Sequence, residues 1–161
     1  QALEAAITPR TKWLIINNPG NPTGAVWTAE DLQNLATVLR KHPQVWVMTD
    51  DIYEHILYED TKFATIAQVA PDLMDRTLTI NGFSKAYCMT GWRIGYVAAD
   101  RRFIQALAKI HQYTMLSAPT MAQVAAIEAL RNGESEVEKM VQEYNRRRRL
   151  MVKRLNEIGL P

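Results

Sequence analysis

The stretch NGFSKAYCMTGWRIGY spans residues 81–96 and decides how the chain folds. It follows the apolar run 78–81, which predicts a buried strand, and it leads into 92–98, which predicts a fourth strand. Upstream, Trp13–Asn17 and Val45–Thr49 are short runs of the same apolar character. Four such runs with helical segments around them predict an α/β fold with a mostly parallel sheet.

Helical patterns occupy the segments between and after the strands. Thr28 and Asp31 match a variant capping box, so a helix is predicted to begin there. Its apolar positions share one face and are Leu32, Leu35, Ala36 and Leu39. Capping and breaking residues predict the other helices at about 64–69, 101–115, 119–132 and 135–158, with Gly159 as the final C-terminal cap.

Composition sets broad limits on function. The chain has 161 residues, of which 47% are hydrophobic and 22% charged, and this is ordinary for a globular domain. A net charge of +2 gives no electrostatic argument for binding nucleic acid or membranes. One cysteine excludes an internal disulfide, and three histidines without ligand spacing predict no metal site. Because no apolar run could span a bilayer and no signal peptide is visible, the expectation is a cytoplasmic protein.

Polar segments follow the first three predicted strands. Asn17–Gly24, Asp50–Tyr53 and Ser84–Lys85 come after the first, second and third strand, respectively. Each alone is explained as a turn, a helix cap or a solvated surface group. In a parallel sheet, however, ligands bind outside the carboxyl ends of the strands. The three segments together therefore predict one binding site at that edge.

Order and spacing give these segments a family resemblance. The string NPGNPTG at 18–24 precedes Asp-x-x-Tyr at 50–53, and Ser84–Lys85 is followed by Arg93 eight positions after the lysine. With the stretch 81–96, this pattern resembles the class I aminotransferases, which are fold-type I enzymes that use pyridoxal 5'-phosphate (PLP), and in particular the aspartate aminotransferases.

The resemblance implies a three-layer PLP-dependent transferase-like large domain, of which this chain is a part. Residues 1–133 would belong to that PLP-binding large domain, and 134–161 would form a long helix leading towards a C-terminal small domain. The chain begins with Gln1. No segment matches the glycine-containing phosphate loop of the family's N-terminal part, or the small-domain arginine that holds the substrate carboxylate. The resemblance thus predicts a fragment that is inactive alone.

Three residues are implied to be catalytic. Lys85 would form a Schiff base with PLP and then move a proton from the substrate, a task that a primary amine performs and a guanidinium does not. Asp50 would face the pyridine nitrogen and keep it protonated. Asp50 is preferred over Asp51 because the family spacing to the tyrosine is three. Tyr53 would donate a hydrogen bond to the phenolic oxygen of the cofactor.

The same resemblance implies a set of cofactor-binding residues. They are Asn21, Asp50, Tyr53, Ser84, Lys85 and Arg93. Asn21 would share the phenolic oxygen, and Arg93 would hold the phosphate with its planar guanidinium, aided by Ser84. Gly82 occupies a position at which several family members have a phosphate-binding serine, so that contact is absent here. The Asn21–Pro22 bond is expected to be cis.

The implied reaction transfers an amino group from an amino acid, with aspartate as the first expectation, to a 2-oxo acid. A homodimer is implied for the full-length protein, without nucleic acid or membrane partners. Three alternatives stay open: a PLP-dependent carbon–sulfur lyase or aminocyclopropane-carboxylate synthase on the same fold, a non-enzymatic PLP-sensing regulator, and a cofactor-free relic. The retained set of five polar residues (Lys85, Asp50, Tyr53, Asn21 and Arg93) argues against the relic.

Other conspicuous residues have ordinary structural interpretations. Cys88 is predicted to be a buried structural thiol. Trp13, Trp46 and Trp92 are predicted to lie in the core. The four arginines 146–149 spread around a helix and do not form one face, which favours a solvated or subunit-contacting helix over a nucleic-acid patch.

Overall fold

The computed structural model describes residues 2–160 and is built around a four-stranded sheet. The strands are β1 (Trp13–Asn17), β2 (Trp46–Asp50), β3 (Thr77–Gly82) and β4 (Gly95–Ala98). They lie in the order β1-β2-β3-β4. The first three strands are parallel and β4 is antiparallel to β3, so the predicted mostly parallel α/β sheet is confirmed.

Six α-helices accompany the sheet in this part of the chain. They are α1 (Ala2–Ala6), α2 (Ala29–Arg40), α3 (Ile66–Val69), α4 (Arg101–Thr114), α5 (Thr120–Asn132) and α6 (Glu134–Glu157). Two short 3₁₀ helices cover Pro71–Arg76 and Thr90–Trp92. Helix α1 is the one α-helix that the sequence patterns did not predict. Within 2–160, no helix is long and apolar enough to cross a membrane.

Helix α2 covers one face of the sheet and forms the main core with it. The predicted capping box is present, since the Thr28 hydroxyl accepts from the Asp31 amide while the Asp31 carboxylate accepts from the Thr28 amide. The four predicted apolar positions of this helix are all buried, and they pack with Ile16, Val45 and Val47. This burial removes apolar surface from water and fixes the strand ends that carry the polar segments.

The opposite face of the sheet is partly open. Side chains alternate along a strand, so Trp13 and Ile15 point away from α2 and are 42% and 67% exposed. The prediction that Trp13 lies in the core is therefore wrong, because apolar character does not tell which face of the sheet is covered. The same prediction is wrong for Trp92, which lies in the 3₁₀ turn 90–92 and is 48% exposed. Trp46 is half-buried, with its ring 4.6 Å from that of Phe103 on α4.

Strand β4 begins three residues later than predicted, because the 3₁₀ turn at 90–92 and a left-handed Arg93 (φ 53°) precede it. Its antiparallel pairing with β3 brings two glycines together. A Cβ on Gly82 would lie 3.2 Å from Gly95 Cα, and a Cβ on Gly95 would lie 3.0 Å from the Asn81 carbonyl oxygen. A side chain at either glycine would therefore crowd the paired backbone of β3 and β4.

Helices α4 to α6 follow the predicted bounds to within about one residue. Asp100 caps α4 by accepting from the Arg102 amide, and Gly159 closes α6 in the left-handed region (φ 80°), both as predicted. The sequence of α6 predicts an apolar stripe at a four-three spacing, which Arg148 interrupts and which consists of Val137, Val141, Tyr144, Met151, Leu155 and Ile158. Of this stripe, only Val137 at the beginning is buried. Its later members Met151, Leu155 and Ile158 are exposed.

Candidate active site

The loop after β1 is held against the end of β2 by side-chain amides. Asn17 lies beside Asp50 in the parallel register, and its Nδ2 donates to the Asp50 carbonyl at 3.1 Å. Its Oδ1 accepts from the Asn21 amide at 2.6 Å, which turns the chain back over the sheet edge. The Asn18–Pro19 and Asn21–Pro22 bonds are both cis, so the expectation for the second of these is confirmed.

This loop brings Asn21 to Tyr53, as the strand-end argument predicted. Asn21 Nδ2 donates to Tyr53 Oη at 3.1 Å, across a sequence separation of 32 residues. The Lys85 Nζ lies 5.7 Å from the centroid of the Tyr53 ring. No carboxylate pairs with the Lys85 amine among residues 2–160. Three loops, one from each of three strand ends, thus place an amide, a phenol and an amine side by side.

The turn after β3 is fixed by its own backbone and by a helix. The Thr90 hydroxyl donates to the Ser84 carbonyl at 2.8 Å, and the Cys88 amide donates to the Lys85 carbonyl at 3.2 Å. Phe83 is buried in a small cluster with Met89 and Ala126 of α5. A buried anchor directly before Ser84 and Lys85 holds these two residues at the sheet edge.

A cleft of about 840 Å³ opens in front of these loops. Four of the six predicted cofactor-binding residues line it: Asn21, Tyr53, Ser84 and Lys85. Asp50 and Arg93 do not line it. The Asp50 carboxylate accepts from the Ile52 amide at 3.4 Å, and Arg93 is exposed, with Nη1 donating to the Thr90 carbonyl at 2.9 Å.

The far wall of the cleft was not predicted from the sequence. It is formed by the segment 56–59 and by Tyr144 and Arg148 of α6. Within the arginine run 146–149, Arg148 is the member that interrupts the apolar stripe of this helix. That interruption is the one signal that could have found this wall.

Cys88 is exposed and lines the cleft, so the prediction of a buried thiol is wrong. The residue has a left-handed backbone (φ 53°), which ends the turn that begins at Lys85 and points the side chain outward from the small core. Its Sγ lies 2.9 Å from Met140 Sδ and 4.0 Å from the Tyr144 hydroxyl. Because residues 85–88 form a turn, the thiol shares the cleft with the Lys85 amine.

The two neighbouring aspartates have different environments. Asp51 is almost completely buried and accepts a hydrogen bond from the Thr49 hydroxyl. Burial raises the pKa of Asp51, and the Thr49 hydrogen bond offsets this only in part. Asp50 is half-buried at the sheet edge. Asp51 therefore belongs to the interior, whereas Asp50 is partly accessible at the sheet edge.

Replacing Asp51 by asparagine is expected to stabilise the protein at neutral pH. A raised pKa means that the folded state binds the Asp51 proton more tightly than the unfolded state does. This favourable contribution is complete below the ordinary pKa of 3.8 and is lost as pH rises through the higher folded value. Thermal unfolding of Asp51→Asn and of the unaltered protein should give converging midpoint temperatures in acid, below the ordinary pKa. Once the pH exceeds the folded pKa of Asp51, the variant should have the higher midpoint temperature. A pH-independent loss of stability would contradict this account.

No group of three or more histidine, cysteine, aspartate or glutamate side chains in the described part of the chain could hold a metal ion.

Comparison with known proteins identifies the family. The family model "Aminotransferase class I and II" matches residues 1–161. The chain is 52% identical over 157 residues to an aspartate/prephenate aminotransferase from Cereibacter sphaeroides, covering 98% of this chain and 39% of that protein. The crystal structure of the aspartate aminotransferase from Rhizobium meliloti matches with a TM-score of 0.93 and 46% identity, covering 96% of this chain and 39% of that one.

An aromatic aminotransferase from Pyrococcus horikoshii is equally similar in structure, with a TM-score of 0.93, 44% identity and coverage of 99% of this chain and 42% of that chain. The chain thus spans about two fifths of the length of the relatives it matches. Because the family model matches the whole length of the chain, the chain belongs to the class I and II aminotransferases.

Proposed function

We propose that the full-length protein is a PLP-dependent aminotransferase that moves an amino group from an amino acid to a 2-oxo acid. The observation that carries this proposal is the convergence of Asn21, Tyr53 and Lys85 on one wall of a large cleft. Packing does not require an amide, a phenol and an amine without an acidic partner at the same sheet edge. Membership in the aminotransferase family supports the same conclusion.

The residues present fit PLP by the chemistry of their donors. Asn21 Nδ2 and Tyr53 Oη form a pair of donors suited to a phenolic oxygen, since the tyrosine hydroxyl proton stays available while its oxygen accepts from the amide. Lys85 Nζ would be the covalent anchor for the aldehyde. Arg93 and Ser84 would hold the phosphate, and Asp50 the protonated ring nitrogen.

When bound, PLP supplies an electron-withdrawing ring that stabilises negative charge on the substrate's α carbon. The protein's own groups would do the rest. Lys85 Nζ, next to the Tyr53 ring, would carry a proton to and from the substrate as a general acid–base. The Asp50 carboxylate would keep positive charge on the ring, and the Asn21–Tyr53 pair would fix the tilt of the cofactor.

Aspartate is the amino donor that we propose, with 2-oxoglutarate as the acceptor, in a cytoplasmic homodimer. The support is that relatives at 52% and 47% identity bear the names aspartate/prephenate and aspartate aminotransferase. An aromatic amino acid is the second candidate, because a similar structure is that of an aromatic aminotransferase.

Product analysis tests the reaction type. With aspartate, 2-oxoglutarate and PLP, the full-length protein is expected to form oxaloacetate and glutamate in equal amounts. With an S-substituted cysteine in place of aspartate, a thiol, pyruvate and ammonia formed without an amino acceptor would support a carbon–sulfur lyase instead. Cofactor binding with no turnover of any donor would support the regulator. Aromatic amino acids in place of aspartate provide the matched comparison for the substrate class.

PLP is expected to protect Cys88 from alkylation, because the thiol lines the same cleft as Lys85. At a cofactor concentration about a hundred times its dissociation constant, iodoacetamide labelling of Cys88 should slow by at least about tenfold. Mass spectrometry of the Cys88 peptide measures the rate. Pyridoxine, which has neither aldehyde nor phosphate, is the control and should protect far less. Equal labelling rates with and without PLP would place the cofactor elsewhere.

A further inference from the structure

Arg148 of α6 makes three contacts at the far wall of the cleft. Its Nη2 lies 2.6 Å from Glu59 Oε1, its guanidinium carbon lies 5.1 Å from the centroid of the Tyr58 ring, and its Nε donates to Asn145 Oδ1 at 3.0 Å. Arg148, Glu59 and Tyr58 all line the cleft. The guanidinium is thus occupied on its edge and on its face, which suits a residue that holds other groups in place.

The neighbouring arginines behave differently, although the run looks uniform in sequence. Arg146 and Arg147 pair with Glu143 on their own helix, both at 2.7 Å. Arg149 reaches Glu59 only at 3.4 Å and does not line the cleft. Arg148 is therefore the one member of the run that joins α6 to the cleft wall by close contacts.

Glu59 has a backbone conformation that glutamate rarely adopts. Its φ is 60°, in the left-handed region that glycine and asparagine favour. Local strain of this kind persists where surrounding contacts over-determine the conformation. The ion pair with Arg148, across a separation of 89 residues, is the contact that meets this requirement.

The segment 56–61 has few other anchors. The Ile56 amide donates to the Tyr53 carbonyl at 2.8 Å, and the Thr61 amide donates to the Tyr58 carbonyl at 3.3 Å. These bonds are local and close turns without joining the segment to another element. The side chains of Tyr58 and Glu59 therefore depend on α6 for their position, and the segment begins three residues after Tyr53.

We propose that Arg148 is a positioning residue for the cofactor cleft. Through Glu59 and Tyr58 it holds the segment 56–61 against α6 and so keeps this wall of the cleft in place. The inference rests on the proposed function, since the wall matters only if a cofactor occupies the cleft. Arg148 need not touch the cofactor, because its effect passes through the wall.

Replacing either Arg148 or Glu59 should make the segment 56–61 less firmly held against α6. Both side chains of the ion pair are partly exposed, at 38% and 57%, so the effect is that of a surface pair reinforced by an aromatic contact. Arg148→Gln and Glu59→Gln are each expected to raise the PLP dissociation constant about three- to tenfold. Because the two substitutions remove the same contact, the double variant should be little worse than Arg148→Gln alone.

The experiment measures PLP affinity by absorbance titration in the full-length protein and its variants. Arg146→Gln is the matched control, because Arg146 belongs to the same run but pairs with Glu143 on its own helix and does not line the cleft. It should bind PLP as the unaltered protein does. Hydrogen exchange without cofactor provides a second measurement. The Ile56 and Thr61 amides should exchange faster in Arg148→Gln than in Arg146→Gln, while amides of the β1–β3 sheet exchange alike.

Glu59→Gly distinguishes loss of the Arg148–Glu59 contact from a general loss of folding stability. Glycine relieves the left-handed backbone, so unfolding should not become easier, yet PLP affinity should still fall. Three results would overturn the inference while the unaltered protein binds PLP: unchanged affinity in Arg148→Gln, effects of the two Gln substitutions that multiply, or an equal loss in Arg146→Gln. Failure of the unaltered protein to bind PLP would instead contradict the proposed function, and this inference with it.

Discussion

Replacing Lys85 by arginine in the full-length protein is expected to lower the rate of amino transfer by at least about 10³-fold. Arginine keeps the positive charge and a similar length, but a guanidinium neither forms the covalent link to the aldehyde nor releases a proton at neutral pH. The position is suited to a reacting amine. Lys85 lies in the cleft beside the Tyr53 ring, and no carboxylate within residues 2–160 pairs with it.

Steady-state rates with aspartate and 2-oxoglutarate provide the measurement, and the absorbance of bound PLP shows whether the cofactor is still covalently attached. Lys62→Arg is the matched control. Lys62 is exposed and directly follows the cleft residue Thr61, but it does not itself line the cleft. The variant should be as active as the unaltered protein. Substantial turnover by Lys85→Arg would show that another group moves the proton.

Replacing Asp50 by asparagine is expected to lower the rate of amino transfer by about 10²–10³-fold with a much smaller effect on folding. The amide has the same shape but lacks the charge that would keep the ring nitrogen protonated. Asp50 sits at the end of β2, held in register by Asn17, and its carboxylate is half-buried at the sheet edge. Its location at the sheet edge, and not the order of residues alone, distinguishes it from Asp51.

Asp51→Asn is the matched control in this experiment, since the same chemical change is made one residue away. It is expected to keep nearly full activity while it alters the pH dependence of stability, because Asp51 is buried and bonded to Thr49. If Asp51→Asn were the inactive variant and Asp50→Asn the active one, the choice between the two carboxylates would have to be reversed.

Local sequence signals predicted most of the helices and strands, and they also predicted the three polar segments that meet at the sheet edge. The capping pair Thr28 and Asp31 specified where α2 begins, and Gly159 specified where α6 ends. The polar segments that contain Asn21, Tyr53 and Lys85 follow three parallel strands, so they were expected to meet at one sheet edge, and these side chains do lie side by side. These signals work because each depends on neighbouring residues or on the shared edge of a parallel sheet.

Features that depend on distant contacts were beyond the reach of such patterns. Trp13 was wrongly predicted to be buried, because strand periodicity carries no information on which face of the sheet a helix covers. Cys88 was wrongly predicted to be buried, because composition does not reveal a left-handed turn. The Glu59–Arg148 pair joins residues 89 positions apart, and only the break in the α6 stripe hinted at it. All six cofactor-binding residues remain predictions, and two of them, Asp50 and Arg93, do not line the cleft.

Borohydride reduction in the presence of PLP tests the central claim most directly. The protein is incubated with PLP, reduced and digested, and the modified peptide is mapped by mass spectrometry, with Lys85→Ala as the control. The account predicts a phosphopyridoxyl group on Lys85, at the edge formed by β1, β2 and β3, and its absence in the control. Labelling spread over surface lysines in the full-length protein, or no labelling at all, would contradict it.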